Sequence, residues 1–413
     1  KPHIKTPDHV AIVGGGTMGA AIAYAFLNTG AEVVVLETDA DGLARASANI
    51  EALISNSLST GRIDETAANA WRNQLTLTTN YHDSAGVDLA IEAVFEDGSV
   101  KQDVLRSLEA ALRPDAVIAT NTSYLDVNML AAALADPSRL VGLHFFAPAH
   151  IMKLLEIVKG EMASPKVLAM GYAVAKRLGK IPVVAGVCDG FIGNRILARY
   201  REAADTLLVD GCTPWDIDEA MVDFGYAMGP YEAQDLSGLD IAYANRRRQD
   251  DTRDPARRYI PIADHLVKVG RLGRKTGAGW YRYTANGGKD IDPVIEAMII
   301  ETATSAAINR RTFAPSDIQN RLVLAMINEA ANILFDGIVA TASDVDIVSI
   351  HGYGFPRWRG GLLHYADQIG ADWVLAMLRM FAAEDPLVWR PSPVIINCVE
   401  TKISLADWRA QKH

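Results

Sequence analysis

Near the start of this 413-residue chain, Gly14-Gly15-Gly16-Thr17-Met18-Gly19 stands between an apolar run at residues 10–13 and an amphipathic stretch. A Gly-x-Gly-x-x-Gly spacing in a strand–turn–helix setting restricts the fold more than any other feature of the sequence. Gly14 permits a tight turn, Gly16 lets backbone approach a diphosphate, and Gly19 allows the helix to pack closely on the strand. The helix, opening with Thr17 and Met18, then turns its free N–H groups and positive dipole end toward phosphates.

Short β-branched runs continue this alternation at residues 32–36, 88–93, 116–120, 140–144, 153–158 and 181–185, separated by Ala-rich amphipathic stretches. Strands alternating with helices predict an α/β fold, a Rossmann-type parallel sheet, over residues 8–187. Beyond Asp189 the strand signals fade and helical patterns such as 195–208 and 317–334 take over. A weak internal repeat runs through this second half. Asn194-Arg195 and Asp210-Gly211 recur as Asn320-Arg321 and Asp336-Gly337; each copy continues into Asp-x-Asp (Asp216/Asp218, Asp344/Asp346) and Gly-Tyr (Gly225-Tyr226, Gly352-Tyr353). Two tandem all-α domains follow as the expectation, at 188–284 and 291–413, joined by a polar, Gly-rich linker at 284–290.

Composition narrows the function. The formal net charge of -10 disfavours a broad grip on nucleic acid or anionic lipid. Three widely spaced cysteines, Cys188, Cys212 and Cys398, show neither a disulfide framework nor metal-ligand spacing, so no metal is expected. No apolar run approaches the length of a membrane span, and the start, Lys1-Pro2-His3-Ile4-Lys5, lacks a signal peptide's apolar segment; the absence of Met there points to a trimmed or partial chain.

Glu37 ends the second strand, where a carboxylate accepts hydrogen bonds from ribose hydroxyls and repels a 2'-phosphate, so NAD is favoured over NADP. FAD uses a similar fingerprint, but no second flavin signature is present. His144 closes an apolar strand at the sheet edge where such folds present ligands. Taken alone, a His there is more often structural. Glu156 lies inside the apolar run 154–158 and requires a partner, for which His144 is the candidate. A His oriented by a carboxylate is a base suited to alcohol oxidation, its proton taken while a hydride leaves for NAD.

The glycine turn, Ile91-Glu92-Ala93-Val94-Phe95-Glu96-Asp97, Asn121-Thr122-Ser123, His144-Phe145-Phe146-Ala147-Pro148, the run 154–158 and Gly190-Phe191-Ile192-Gly193-Asn194-Arg195 together resemble the L-3-hydroxyacyl-CoA dehydrogenase family, in order and spacing. The segments 271–281 and 351–361 resemble the helical domains of its multifunctional β-oxidation branch, above all the peroxisomal L-bifunctional type. The resemblance implies NAD-dependent oxidation of (S)-3-hydroxyacyl-CoA to 3-oxoacyl-CoA. It casts His144 as general base and Glu156 as its orienting partner, with Ser123 and Asn194 as contacts to the reacting oxygen. Ala93, Val94, Glu96, Lys101 and Asn121 fall on the cofactor side. The plainer reading, in which Asn194 caps a helix and Ser123 the turn before Asp126, stays open as the lesser alternative.

Three departures qualify this resemblance. A crotonase-like half precedes the dinucleotide domain in multifunctional members, whereas only a few residues precede the first strand here, so hydratase activity is not expected of this chain. Tyr124 replaces a small residue, which bears on acyl-chain preference, and Ala410-Gln411-Lys412-His413 is not a Ser-Lys-Leu address, which favours a bacterial cytoplasm over a peroxisome. An acyl-CoA substrate, a monomer or homodimer, and association with a hydratase or thiolase are the expected partners. The basic runs 246–248 and 271–275 are candidates for CoA phosphates or for solvated surface. A dehydrogenase of free hydroxy or sugar acids, and a non-catalytic NAD-binding protein, are the alternatives.

Overall fold

The computed structural model of the protein describes residues 6–409. The chain start and Ala410-Gln411-Lys412-His413, which carry the expectations about processing and location, lie outside them. The chain divides into two compact units, one reaching Asn194 and taking in Gly337–Ala340, the other comprising Arg195–Asp336 and the chain from Thr341 onward.

In the first unit the elements are β1 (His9–Val13), α1 (Thr17–Leu27), β2 (Glu32–Leu36), α2 (Ala40–Ser59), α3 (Glu65–Gln74), β3 (Leu75–Thr78), β4 (Leu89–Glu92), α4 (Gly98–Ala111), β5 (Val117–Thr120), α5 (Val127–Ala131), β6 (Leu140–Phe145), β7 (Leu154–Val158), α6 (Pro165–Arg177) and β8 (Ile181–Ala185). The strands form one sheet in the order β3-β2-β1-β4-β5-β6-β7-β8. Its order reverses at β1, and the crevice outside β1 and β4 is where such sheets take ligands. Val10, Ile12, Val33, Val35, Ile91 and Leu143 are fully buried in its core, each contributing about 1.5–3 kcal/mol through lost apolar exposure.

Two features depart from the sequence expectation. β3 (Leu-Thr-Leu-Thr) was not foreseen; it pairs only with β2, so its residues stay half-buried or exposed and carry little apolar signal. The sheet is also not wholly parallel, since β6 and β7 pair antiparallel. The connection 146–153 is too short for a helical crossover, so the chain must turn straight back. That reversal sets His144 directly opposite Glu156.

The second unit is helical: α7 (Gly193–Asp210, entered at Arg195), α8 (Pro214–Phe224), α9 (Pro230–Ser237), α10 (Leu239–Arg248), α11 (Ile262–Lys268), α12 (Pro293–Ser305), α13 (Pro315–Phe335), α14 (Ala342–Tyr353), α15 (Leu362–Ile369), α16 (Ala371–Ala382) and α17 (Pro393–Thr401). The segment expected as a linker turns a small ribbon, Arg282–Tyr283 against Lys289–Asp290. The sequence repeat has a physical counterpart. Thr213 and Asp216 close a capping box on α8, as Thr341 and Asp344 do on α14. Asp218 then accepts the first N–H groups of α9, from Tyr231 and Glu232, each at 2.9 Å. Asp346 accepts those of α15, from Leu363 at 2.7 Å and His364 at 3.2 Å. A glycine precedes each helix because a Cβ at Gly229 or Gly361 would lie within 2.2 or 2.3 Å of that aspartate. Phe355 and Tyr365 both meet Phe224 edge-on and lie tilted against each other, and Arg359 donates to the Phe224 carbonyl at 3.1 Å. The aromatic residues after 353 thus pack into the helical core, although Trp358 is exposed. Among the described residues no helix is long and apolar enough to cross a membrane.

Burial pushes the carboxyls of Asp218 and Asp346 up to about 6, against the pull of their N–H donors. The folded state therefore holds these protons more tightly than the unfolded chain. Their stabilising contribution is complete below about pH 4 and is lost as pH rises through about 6, a change on the order of 3 kcal/mol for each carboxyl. Urea unfolding at pH 5 and pH 7.5 measures this: the fall in stability between them shrinks in the Asp218→Asn/Asp346→Asn protein.

Candidate active site

At the end of β1, Gly14 adopts φ +93°, and a Cβ there would lie 2.8 Å from the Ala93 carbonyl oxygen. A side chain at Gly19 would come within 1.8 Å of the Gly14 oxygen, so α1 can close on the turn only as glycine. Gly16 faces open space, with nothing within 4 Å of a Cβ, and α1 starts at Thr17 with neither a side-chain cap nor an acidic residue in its first turn. The helix N-terminus, with Met18 behind it, is left unsatisfied and open to an anion. Glu37 Oε1 accepts the Gly15 N–H at 2.7 Å, and Asn49 Nδ2 holds the Gly15 carbonyl at 3.0 Å. The Glu37 carboxylate is therefore locked to the glycine turn. Ala93 and Val94 continue β4 beside Gly14. These residues fit NAD.

His144 and Glu156 sit opposite each other on β6 and β7, with His144 Nδ1 2.5 Å from Glu156 Oε2. Glu156 is fully buried and His144 is 4% exposed. The other carboxylate oxygen, Oε1, accepts N–H groups from Ile192 at 3.2 Å and Gly193 at 2.9 Å, at the start of α7. Both carboxylate oxygens are thus engaged, and the buried group has no unpaired oxygen. Phe191 enters this turn at φ +51° and lays its ring 5.6 Å from that of His144, while Phe146 lies 4.6 Å away on another side. Because Nδ1 is occupied, Nε2 is the ring nitrogen left for a substrate.

Asn194, in the first turn of α7, extends Nδ2 to the Ser123 carbonyl at 3.5 Å. It lies inside the helix rather than capping it, and the turn after Ser123 is capped by Asp126. Asn121 is nine-tenths buried and accepts the Phe145 N–H at 3.1 Å, tying the end of β5 to the end of β6. Ser123 and Asn194 are thus brought together beside the Glu156-binding turn.

Sequence reading missed Glu92. This residue is fully buried at the end of β4 and receives Lys101 Nζ at 2.8 and 3.1 Å, the Thr120 hydroxyl, and the Val94 N–H at 3.3 Å. Burial raises its pKa against these partners. Lys101, 1% exposed, also donates to the Val94 carbonyl at 3.2 Å and pairs with Glu96 at 3.3 Å. Glu96 Oε1 in turn accepts the Thr122 hydroxyl at 2.5 Å and the N–H groups of Ser123 and Tyr124 at 2.9 and 3.1 Å. Lys101 thus lies beneath the loop, while Glu96 fastens the Ser123 turn to β4. A Glu inside the apolar run 89–93 was the available signal, the same one that exposed Glu156.

Most residues of the two basic runs have acidic neighbours. Arg246 and Arg247 pair with Asp264, Arg271 with Asp292, Arg274 with Glu232 and Lys275 with Asp240.

An open sheet with a glycine turn for a dinucleotide, and a buried His–Glu pair at its ligand edge, define a Rossmann-type, NAD-dependent oxidoreductase followed by helical domains. Family models described as "3-hydroxyacyl-CoA dehydrogenase, NAD binding domain" and "3-hydroxyacyl-CoA dehydrogenase, C-terminal domain" match residues 9–188, and residues 190–283 and again 318–403. The chain belongs to the 3-hydroxyacyl-CoA dehydrogenase family. It is 38% identical over 390 residues to the peroxisomal bifunctional enzyme of Cavia porcellus, covering 91% of this chain and 54% of that protein. Against the fatty acid oxidation complex subunit alpha of Psychrobacter cryohalolentis the identity is 34% over 386 residues, with 91% and 53% covered. The chain spans about half the length of the curated relatives it matches. The solved 3-hydroxybutyryl-CoA dehydrogenase of Escherichia coli is similar with a TM-score of 0.81 and 25% identity, over 96% of this chain and 99% of that one. The dehydrogenase part of multifunctional enzyme 1 from C. elegans gives a TM-score of 0.68 and 28% identity, covering 95% and 90%.

Removing one member of the Glu92–Lys101 pair strands a buried charge, so Glu92→Leu is expected to destabilise by about 3–5 kcal/mol. Replacing both, as Glu92→Leu/Lys101→Met, recovers most of that loss. Denaturant titration of the two variants checks this, and equal losses would refute it.

Proposed function

We propose that the protein oxidises the 3-hydroxyl of (S)-3-hydroxyacyl-CoA thioesters to the 3-oxo group with NAD, within fatty-acid β-oxidation. The observation that carries this reading is the buried His144–Glu156 contact, with the second Glu156 oxygen held by the start of α7. NAD, when bound, supplies the hydride acceptor. Gly14, Gly16, Thr17, Met18 and Gly19 would hold its diphosphate, and Glu37 its adenosine ribose. Ala93, Val94, Glu96 and Asn121 would line the nicotinamide side, with Lys101 acting through the Val94 carbonyl and Glu96 rather than at the surface.

Ser123 and Asn194 would hold the reacting oxygen. His144 Nε2 would take the hydroxyl proton as hydride leaves the carbon, and Glu156 would stabilise the resulting imidazolium through Nδ1–H. Phe146, Phe191 and the surrounding core exclude water from the pair.

The domain reading we favour is 8–187 for cofactor and 188–284 with 291–413 for the helical copies, supported by the twofold C-terminal match and the paired Asp218/Asp346 devices. The names of the multifunctional relatives support association with a hydratase or thiolase, with this chain as monomer or homodimer. The bacterial relatives support a bacterial cytoplasm.

NADH oxidation with acetoacetyl-CoA, beside free acetoacetate and beside NADPH, tests the proposal. Turnover restricted to the CoA ester with NADH is expected, and His144→Gln is expected to lower kcat by about 10²–10⁴-fold. Turnover of the free acid would move the protein to hydroxy-acid chemistry. Unchanged activity in His144→Gln would overturn the base assignment.

A further inference from the structure

Lys180 immediately precedes β8, at the sheet edge where β6 ends and β7 begins. Its ammonium donates to two carbonyls of the β6–β7 connection, Ala149 and Met152, both at 2.6 Å. It also stands 5.6 Å from the centre of the Phe145 ring, a favourable position for a cation over an aromatic face. No carboxylate pairs with it among the described residues. A half-buried lysine that forgoes an acidic partner and clips the two ends of one turn is unusual for a solvated surface cation.

The turn it clips is the link between the strands that carry His144 and Glu156. Within that turn Pro148 accepts from Ile151 and Met152, both at 3.0 Å, but nothing in those bonds fastens it to the sheet. The Lys180 ammonium does, together with the Ile181 N–H on the Lys153 carbonyl at 2.7 Å. The turn also sets Phe146 against His144. A one-residue slip of β7 on β6 would carry Glu156 to the other face of the sheet and away from the imidazole.

We propose that Lys180 is a positioning residue for the His144–Glu156 pair, its ammonium cross-linking the Ala149 and Met152 carbonyls so that the β6–β7 turn keeps the pair in register. The inference rests on the dehydrogenase reading above. Burial and the neighbouring Lys153 push the Lys180 ammonium down to about 8. His150, on the clipped turn, is itself pushed down by burial, Lys180 and Arg62, so the charged neighbours that act on this lysine and on its turn, Lys153 and Arg62, are basic. The clip is thus charged at neutral pH and loses its charge as pH rises through about 8.

Lys180→Met and Lys180→Arg test this in the oxidation direction, with (S)-3-hydroxybutyryl-CoA and NAD as probes. Lys180→Met is expected to lose about 10- to 100-fold in kcat, as a misplaced pair would, with KM for NAD within about twofold. Wild type is expected to show an alkaline fall in kcat that is absent from Lys180→Met. Lys180→Arg, whose guanidinium stays charged, recovers most of the rate and shifts that fall to higher pH. Wild-type kcat and pH profile in Lys180→Met would overturn the proposal. So would a loss that matches its unfolded fraction while the profile is kept. Absence of turnover in wild type would instead count against the dehydrogenase reading.

Discussion

Everything at the ligand edge depends on keeping one carboxyl group fully partnered where water does not reach. Glu156 is fully buried on β7, and an uncompensated carboxylate there would cost several kcal/mol. Three donors from two directions offset that penalty: His144 across the strand pair, and the Ile192 and Gly193 N–H groups at the start of α7. The same contacts fix the imidazole tautomer and hold the Ile192–Gly193 turn, next to which Asn194 reaches the Ser123 carbonyl. Folding and chemistry are therefore one requirement at this point.

A second buried charge works on the same principle on the cofactor side. Glu92 and Lys101 neutralise each other beneath the β4–α4 loop, and Glu96 passes that order to the Ser123 turn through three donors. The β4–α4 loop and the Ser123 turn thus share a foundation. The Gly15 N–H on Glu37 likewise ties the end of β2 to the glycine turn. The helical unit repeats the idea at a structural level, with Asp218 and Asp346 each holding the first N–H groups of a following helix.

The local devices were legible in the residues. Gly14, Gly16 and Gly19 stand where their spacing required, the apolar runs became strands, and the matched Asp-x-Asp pairs became matched caps. His144 and Glu156 were legible as chemical candidates because charge inside an apolar run demands a partner. β3 escaped because an edge strand with one neighbour needs little apolar pattern. Glu92 escaped although it carried the same signal as Glu156, because its partner Lys101 lies nine residues on in α4 and was legible only as a residue of the cofactor side.

The sequence by itself determined the strand–turn–helix entry, the alternation that builds an α/β sheet, the duplicated helical half and the family. These rest on local sterics and short-period patterning, which neighbouring residues dictate. Only the tertiary structure decided that β7 runs back along β6, that Lys101 is buried, and that Arg246, Arg247, Arg271, Arg274 and Lys275 each face an aspartate or glutamate. Those outcomes turn on the cost of leaving a charge or a backbone group unpaired at a contact between segments distant in the chain. No local pattern records that cost until the segments meet.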